Sequence, residues 1–390
     1  MKTGLQAVLY REIKRMTSER IYLWILFILP MFTFVFFTSM FSKGKADNFE
    51  VAILDADNSQ ISRMIVSYIE ATPEVEFTRK VSSLEEGKRL IEKGEVYAVL
   101  EIPKGLENGI YSGIPRKMVL FYSNNNLSAG SGVSVAIIKT VKTISAGINL
   151  QKRLSKNKEI FDQALNNVQP IRIDAHALNN PFINYSYYLV TGLLPVMLLM
   201  FILSSTIYAI GGELKYRTAL DWYKTSGESI IVALTGKLLP YSTIFIIEAF
   251  FMNTILFGIV EAPQNGSYFI IFLATIFFVF AYQAMGVFLI SVLPNMRLAL
   301  SLSAAYASLA FSFAGLTFPL IAMIGFIKGF AQIFPFTHYI QIYINVAMRG
   351  LDVRYSLPQF LILSAFIALP FFLIPRLRAF LTKEKYWGKS

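Results

Sequence analysis

The chain has 390 residues, of which 55% are hydrophobic, and a mean hydropathy of +0.52. Soluble domains average about 45–50% apolar, so the composition excludes a single soluble domain and leaves a polytopic membrane protein. Cysteine is absent, which excludes disulfides and thiolate metal sites, and the formal charge of +11 has to be placed along the chain before any partner is read from it.

Residues 3–18 read as an amphipathic helix on the inner membrane surface. Leu5, Val8, Leu9, Ile13 and Met16 recur at helical spacing, with Arg11, Glu12, Lys14 and Arg15 on the other faces. Residues 21–41 form an apolar run of the ~20 residues that a bilayer crossing needs. The run is longer than a signal-peptide core and no small-residue cleavage site follows it, so it reads as an uncleaved first span.

From Asn48 the pattern becomes alternating strand and helix. Strands are expected at 50–54, 75–78, 97–102 and 117–122, and helices at 57–69, 83–93 and 104–111. Ser83 and Glu86 have the spacing of a capping box. Asn124, Asn125 and Asn126 mark a turn, a long helix is expected over 128–166, and residues 171–173 could return a strand to the sheet.

Five more spans are expected at about 187–210, 238–259, 268–293, 298–324 and 358–374. Residues 327–346 are apolar but interrupted by Lys328, Pro335 and His338, and read as an outer-surface or re-entrant helix pair. The fold class is therefore an α-helical polytopic membrane protein of six transmembrane helices, with an α/β extracytoplasmic domain between helices 1 and 2. The boundaries are 1–20 for the interface helix, 21–42 for helix 1, 43–185 for the α/β domain with its long helix, 186–378 for helices 2–6 and 379–390 for a cytoplasmic tail. Lys2, Arg11, Lys14, Arg15 and Arg20, then Lys215, Arg217, Lys224, Lys237 and Arg297, then Arg376, Arg378, Lys383, Lys385 and Lys389 all fall on one side. That asymmetry puts both termini in the cytoplasm and makes the basic excess an orientation signal rather than a sign of nucleic acid.

No P-loop occurs, because Gly236-Lys237 lacks the upstream glycine and the following Ser or Thr. His176 and His338 are too far apart for a His-based zinc site, and no residue set suggests a catalytic centre. The cytoplasmic loop 212–229 is unusual: Glu213, Lys215, Arg217, Thr218, Asp221, Trp222, Tyr223 and Lys224 make it charged, aromatic and helix-compatible. It could present a short helix to a soluble partner or lay Trp222 and Tyr223 among headgroups. Glu248 is the one acid deep in a span, fit either for a translocation path or for helix packing. Gly315, Thr317 and Pro319 lie in a segment able to bend, and His338 reads as a hydrogen-bonding residue. Asp55 and Asp57 follow the first strand, where α/β sheets bind ligands, although helix capping is their simpler role.

The chain resembles the membrane subunits of type-2 ABC exporters, the long-insert multidrug-type branch. The resemblance is carried by Asn180-Pro181…Tyr185 with Gly192-Leu-Leu-Pro195, by Gly236-Lys237-Leu-Leu-Pro240-Tyr241, by Gly315-Leu-Thr-Phe-Pro319, and by Pro335-Phe-Thr-His338-Tyr339 with Arg349-Gly350. Arg217-Thr218 stands where that family usually has Gly-Thr before its docking helix. The resemblance implies a permease in a bacterial inner membrane that pairs with a second, identical or paralogous, permease subunit. Two ABC ATPase subunits would dock on the Glu213–Lys224 region, and ATP and Mg would bind to them rather than to this chain. Gly315, Thr317, Pro319 and His338 would lie near the outer gate. The cargo would be amphipathic or hydrophobic, moved out of the cytoplasm or the inner leaflet, and the outer domain would select cargo, dock a periplasmic adaptor or gate. The alternative is a membrane-anchored receptor or scaffold whose α/β domain binds a ligand or partner.

Overall fold

The computed structural model describes residues 3–44, 47–124, 127–156, 160–168 and 184–388. The expected strand at 171–173, His176, Asn125, Asn126 and the Asn180-Pro181 pair lie outside the described residues. The chain divides into a helical unit, Met1–Gly44 with Ala177–Ser390, and an α/β unit, Lys45–His176.

The helical unit begins with α1 (Leu5–Ser18) and α2 (Arg20–Met40). Pro30 cannot donate to the carbonyl of Leu26 and its ring crowds that turn. The helix widens just before it into a π-turn, Trp24–Ile28.

The α/β unit runs β1 (Phe49–Asp55), α3 (Gln60–Glu70), β2 (Val75–Lys80), α4 (Leu84–Lys93), β3 (Ala98–Ile102), α5 (Leu106–Ser112), β4 (Val119–Tyr122), α6 (Leu127–Lys156) and α7 (Phe161–Val168). The strands form one sheet in the order β2-β1-β3-β4, parallel except for β4. Alternation along the strands sends Val51, Ile53, Leu100 and Ile102 to one face, against Ile61, Ile65 and Ile69 of α3 and Val133 and Ile137 of α6. Ala52 and Val99 face the other way with Val81 and Val96, under α4. Gly87 permits that close approach, since a Cβ there would stand 2.7 Å from Val99 Cγ1.

Ser59 and Ser83 cap α3 and α4 as expected, each hydroxyl accepting an amide three residues on. Glu86 closes its box on the Ser82 amide, at 2.8 Å, rather than on that of Ser83. The expected 128–166 helix is two helices, α6 and α7.

The helical unit continues with α8 (Tyr185–Lys215), α9 (Ala219–Thr225), α10 (Ile230–Thr254, extended by a π-turn Ile255–Ile259), α11 (Tyr268–Val292) and α12 (Met296–Phe313). The helix pair α13 (Gly325–Ala331) and α14 (Pro335–Tyr343) follows, and then α15 (Leu357–Ala368) and α16 (Ile374–Thr382), joined by a 3-10 turn at Leu369–Leu373. Among the described residues, seven helices are long and apolar enough to cross a membrane. One of them, Ala129–Ser155, lies in the α/β unit and packs Val133 and Ile137 against the sheet, while Val135 and Ile138 are exposed. The fifth expected span, 298–324, ends at Phe313, and Gly315 at φ 91 turns the chain out of the helix.

Asp57 caps the helix across the sheet rather than its own. Its carboxylate accepts the amides of Gly105 (2.6 Å), Leu106 (3.0 Å) and Glu107 (3.1 Å) at the start of α5. Asp55 braces the intervening turn, accepting the amides of Asp57 and Asn58 and the Ser62 hydroxyl. The Ser59 hydroxyl first, and then the three amides, hold the Asp57 carboxyl below its ordinary value. Asp57→Ala should therefore weaken the unit by about 1 kcal/mol, seen as faster amide exchange in α5 of the full chain. A folded-state value below the unfolded one gives stability that is complete at neutral pH and lost as pH falls through the folded value. The gap between wild type and variant should close in acid; a gap that stays constant with pH would remove Asp57 as its source.

Candidate functional site

Helix α1 lies on α10, where Gly236 leaves no side chain to hold it off: a Cβ there would stand 2.8 Å from that of Val8. The face of α1 that turns inward is the charged one. Val8 and Glu12 are buried, whereas Leu5, Tyr10 and Ile13 are 43%, 71% and 46% exposed. Leu5 and Ile13 of the apolar stripe are thus left exposed, Val8 packs inward, and Arg11, Glu12 and Arg15 are committed to protein.

Those charges close a network around Glu213, which is fully buried near the end of α8. Its two oxygens take Arg11 in a two-pronged contact at 2.7 and 2.8 Å, the geometry that suits a guanidinium to a carboxylate. Glu213 also accepts from Arg15 at 3.1 Å and Lys237 at 2.8 Å, and from the Thr218 hydroxyl. Lys237, buried in α10, pairs in addition with Glu12, which accepts the Tyr241 hydroxyl at 2.7 Å. Arg15 reaches Glu19 at 3.2 Å. Arg11, Arg15 and Lys237 thereby balance Glu12, Glu19 and Glu213. Burial works against the charge on Arg11, but the hydrogen bond and field of Glu213 outweigh it and raise the guanidinium above its ordinary value.

The short helix α9 sits on this network. The Trp222 ring lies 4.8 Å from the Lys237 ammonium and its indole N–H donates to the Ala233 carbonyl at 3.3 Å. The Thr225 carbonyl accepts the amide of Gly4 at 2.8 Å, tying the far end of α9 to the start of α1. Of the residues expected to meet a partner, Glu213, Trp222 and Tyr223 are buried, and Lys215 and Thr218 are half-buried. Arg217 and Asp221 are exposed, together with Tyr216, Lys224 and Glu228. Arg217 has φ 59, the left-handed conformation that glycine adopts most easily, so the backbone keeps the turn although the side chain differs.

The sequence reading passed over Glu12, Lys237 and Tyr241. Lys237 was assigned to the inner flank by its charge, although Lys237 and Tyr241 share one helix face four residues apart. That spacing inside an apolar run was the available signal.

The residues named for a gate lie in three segments. Gly315, Thr317 and Pro319 belong to the turn after α12, where the Thr317 hydroxyl donates to Ser312 at 3.0 Å and the Tyr188 hydroxyl to the Leu316 carbonyl. His338 belongs to the break between α13 and α14. There Thr337 donates to the Ala331 carbonyl at 2.8 Å, the His338 ring meets the Gln332 carbonyl at 3.0 Å, and Tyr306 donates to the Ile333 carbonyl at 2.7 Å. The Tyr282 hydroxyl accepts the Phe336 amide at 3.1 Å. A broken helix frees these backbone groups, and here side chains meet each of them. Glu248 is buried, and neither of its oxygens has a hydrogen-bond partner among the described residues.

Lys237→Met should cost about 3–5 kcal/mol, because it strands the Glu12 carboxylate in the interior. Thermal unfolding in detergent should show the loss, and Glu12→Gln in the same chain should restore part of it. Equal melting temperatures for wild type and the single variant would refute the network's role. At the break, His338→Ala leaves the Gln332 carbonyl without its side-chain partner and should destabilise by about 1–3 kcal/mol; His338→Gln should recover most of it.

No curated protein matches the chain in sequence. The family model described as ABC-2 family transporter protein matches residues 20–374, from the start of the first transmembrane-length helix into the last. The chain belongs to the ABC-2 transporter family and is a multi-pass membrane component of an ABC transporter.

Proposed function

We propose that this chain is the permease subunit of an ATP-driven exporter that moves an amphipathic or hydrophobic cargo out of the cytoplasm or inner leaflet. Six of the seven span-length helices would cross a bacterial inner membrane, with both termini cytoplasmic. The Ala129–Ser155 helix and the rest of the α/β unit would lie outside the cell. Two copies, or this chain and a paralogue, would pair, and two ABC ATPase subunits carrying ATP and Mg would dock from the cytoplasm.

The observation that supports this reading best is the two-faced helix α9. Trp222 and Tyr223 anchor it to the ion network, while Asp221 and Lys224 stand free on its other side. A connector between two spans has no need of a buried tryptophan seated on a buried lysine; a lever that receives a partner does. The exposed Leu5, Tyr10 and Ile13 of α1 suit the headgroup boundary of the inner leaflet. Gly315, Thr317, Pro319 and His338 remain in the proposal as parts that shape an outer gate. Glu248 remains as the carboxyl that a cationic cargo group would meet where the helices part.

The receptor reading has less support. The crevice where the parallel order turns back, at the ends of β1 and β3, is where such sheets take ligands. Here the carboxylate of Asp57 already occupies the α5 amides beside it.

The test is co-purification of the full chain with an ABC ATPase, identified by mass and assayed for ATP hydrolysis. Asp221→Ala with Lys224→Ala should keep the melting temperature and weaken recruitment at least about tenfold, the loss of one good contact. Glu213→Ala and Trp222→Ala should instead lower the melting temperature, because those side chains are interior. A well-folded wild-type chain that recruits no ATPase would overturn the reading.

A further inference from the structure

The segment after α16 folds back onto the same cytoplasmic loop. Leu377, Phe380 and Leu381 of α16 are buried in one core with Ala219, Trp222 and Tyr223 of α9. Beyond α16 the chain makes a short 3-10 turn, Glu384–Tyr386. The Tyr386 ring packs on Phe380 at 4.5 Å and the Trp387 indole donates to the Phe380 carbonyl at 2.9 Å. The Gly388 amide then donates to the Leu214 carbonyl at 3.0 Å. That carbonyl is in the last turn of α8, where helix geometry leaves acceptors without partners.

Gly388 also lies under Arg217: a Cβ on Gly388 would stand 3.1 Å from Arg217 Nε. Gly388 at φ 72 and Arg217 at φ 59 are both left-handed, which suits a glycine and strains an arginine. The strain gains the protein no internal ion pair. No carboxylate pairs with Arg217, Lys383 or Lys385 among the described residues, and all three are exposed. Glu384 is the one acid in Lys383–Gly388.

We propose that Arg217 and the segment Lys383–Gly388 form one basic docking element, beside α9, for an acidic face of the ATPase subunit. The proposal rests on the docking reading above and adds to it a second contact, separate in sequence from the cytoplasmic loop. The segment holds α8 at Leu214 and sets the Arg217 guanidinium in place, and Lys383 and Lys385 extend the positive surface. Lys385 lies over the Tyr386 ring at 4.9 Å, but exposed cations without a carboxylate partner steer and bind an anionic partner, and such binding weakens with salt.

The experiment titrates the ATPase identified by co-purification onto the full chain in nanodiscs, at low and at high salt. Lys383→Glu with Lys385→Glu, and separately Arg217→Gly, should leave the melting temperature unchanged or, for the glycine, raised. Each should weaken ATPase binding at least about tenfold at low salt, with the difference shrinking at high salt. Deletion of residues 383–390 should weaken binding as well.

If Asp221→Ala with Lys224→Ala loses the ATPase while the charge reversals and Arg217→Gly keep it, this proposal fails and the docking reading stands. Loss on deletion with no loss on charge reversal makes the segment a mere support for α8 and also refutes the basic contact. Charge reversals that change only the dependence on anionic lipid in the nanodisc would assign the patch to headgroups and overturn the proposal. A wild-type chain that binds no ATPase removes both readings together.

Discussion

A carboxylate enclosed at the end of a membrane-length helix has to be met by cations and donors, because isolated burial of a charge is prohibitively costly. Glu213 is such a group, and the arrangement of this end of the helical unit follows from how it is met. Arg11 and Arg15 come from α1, Lys237 from α10 and Thr218 from the turn before α9. Three segments, α1, the end of α8 with the turn after it, and α10, are thereby required at one point. Buried ion pairs add little net stability over a well-packed apolar core. What this network contributes is position: α1 has one register on α10 in which Glu12 meets both Lys237 and Tyr241.

The break between α13 and α14 solves the complementary problem. A helix interrupted among apolar neighbours frees backbone groups that no water can meet. Thr337 and His338 reach back over the turn from α14, while Tyr306 and Tyr282 reach in from α12 and α11. These side chains fix the break without an ion pair. The Pro335-Phe-Thr-His338-Tyr339 stretch, which contributed to the family resemblance, is accounted for by backbone satisfaction before any chemistry is invoked.

Spans and strands were legible because each depends on a local pattern. An apolar run of membrane length, or alternation along a strand, carries its own period. The network was not legible, since burial of a charge depends on which face of a helix meets its neighbour. The amphipathic pattern of α1 was legible, but not that Glu12 would be buried beside Val8 while Leu5 and Ile13 stay exposed. In water that would be an error of folding. At a membrane it is the expected outcome, because lipid takes the apolar face and protein can take the charges. The fifth span was read too long for a different reason: residues 314–324 are apolar, and only the positive φ of Gly315 shows that the helix has already ended. The long helix of the α/β unit shows the converse. Its hydropathy is that of a span, and hydropathy alone does not show that Val133 and Ile137 pack on the sheet.

Rigid and deformable parts are distributed unevenly in the helical unit, and the distribution constrains how it can move. A saturated ion network has few alternative arrangements, since each displaced group would leave a buried partner unmet. The ends of α1, α8 and α10 that share Glu213 therefore move together with α9, which is seated on Lys237 and bonded to Gly4. A displacement applied to α9 has to be absorbed further along the spans, where the helix ladder is already irregular. Such places are identifiable: the π-turn before Pro30 in α2, the π-turn Ile255–Ile259 that ends α10, and the 3-10 turn Leu369–Leu373 between α15 and α16. Irregular turns lack the full set of i to i−4 bonds and bend at lower cost than the regular helix around them. Lys237 lies near the start of α10 and the π-turn at its finish, so one helix carries a fixed end and a yielding end. Glu248 sits between the two, with both oxygens unmet among the described residues. In such a helix, bending at the yielding end changes the surroundings of Glu248 while the Glu213 network is left intact.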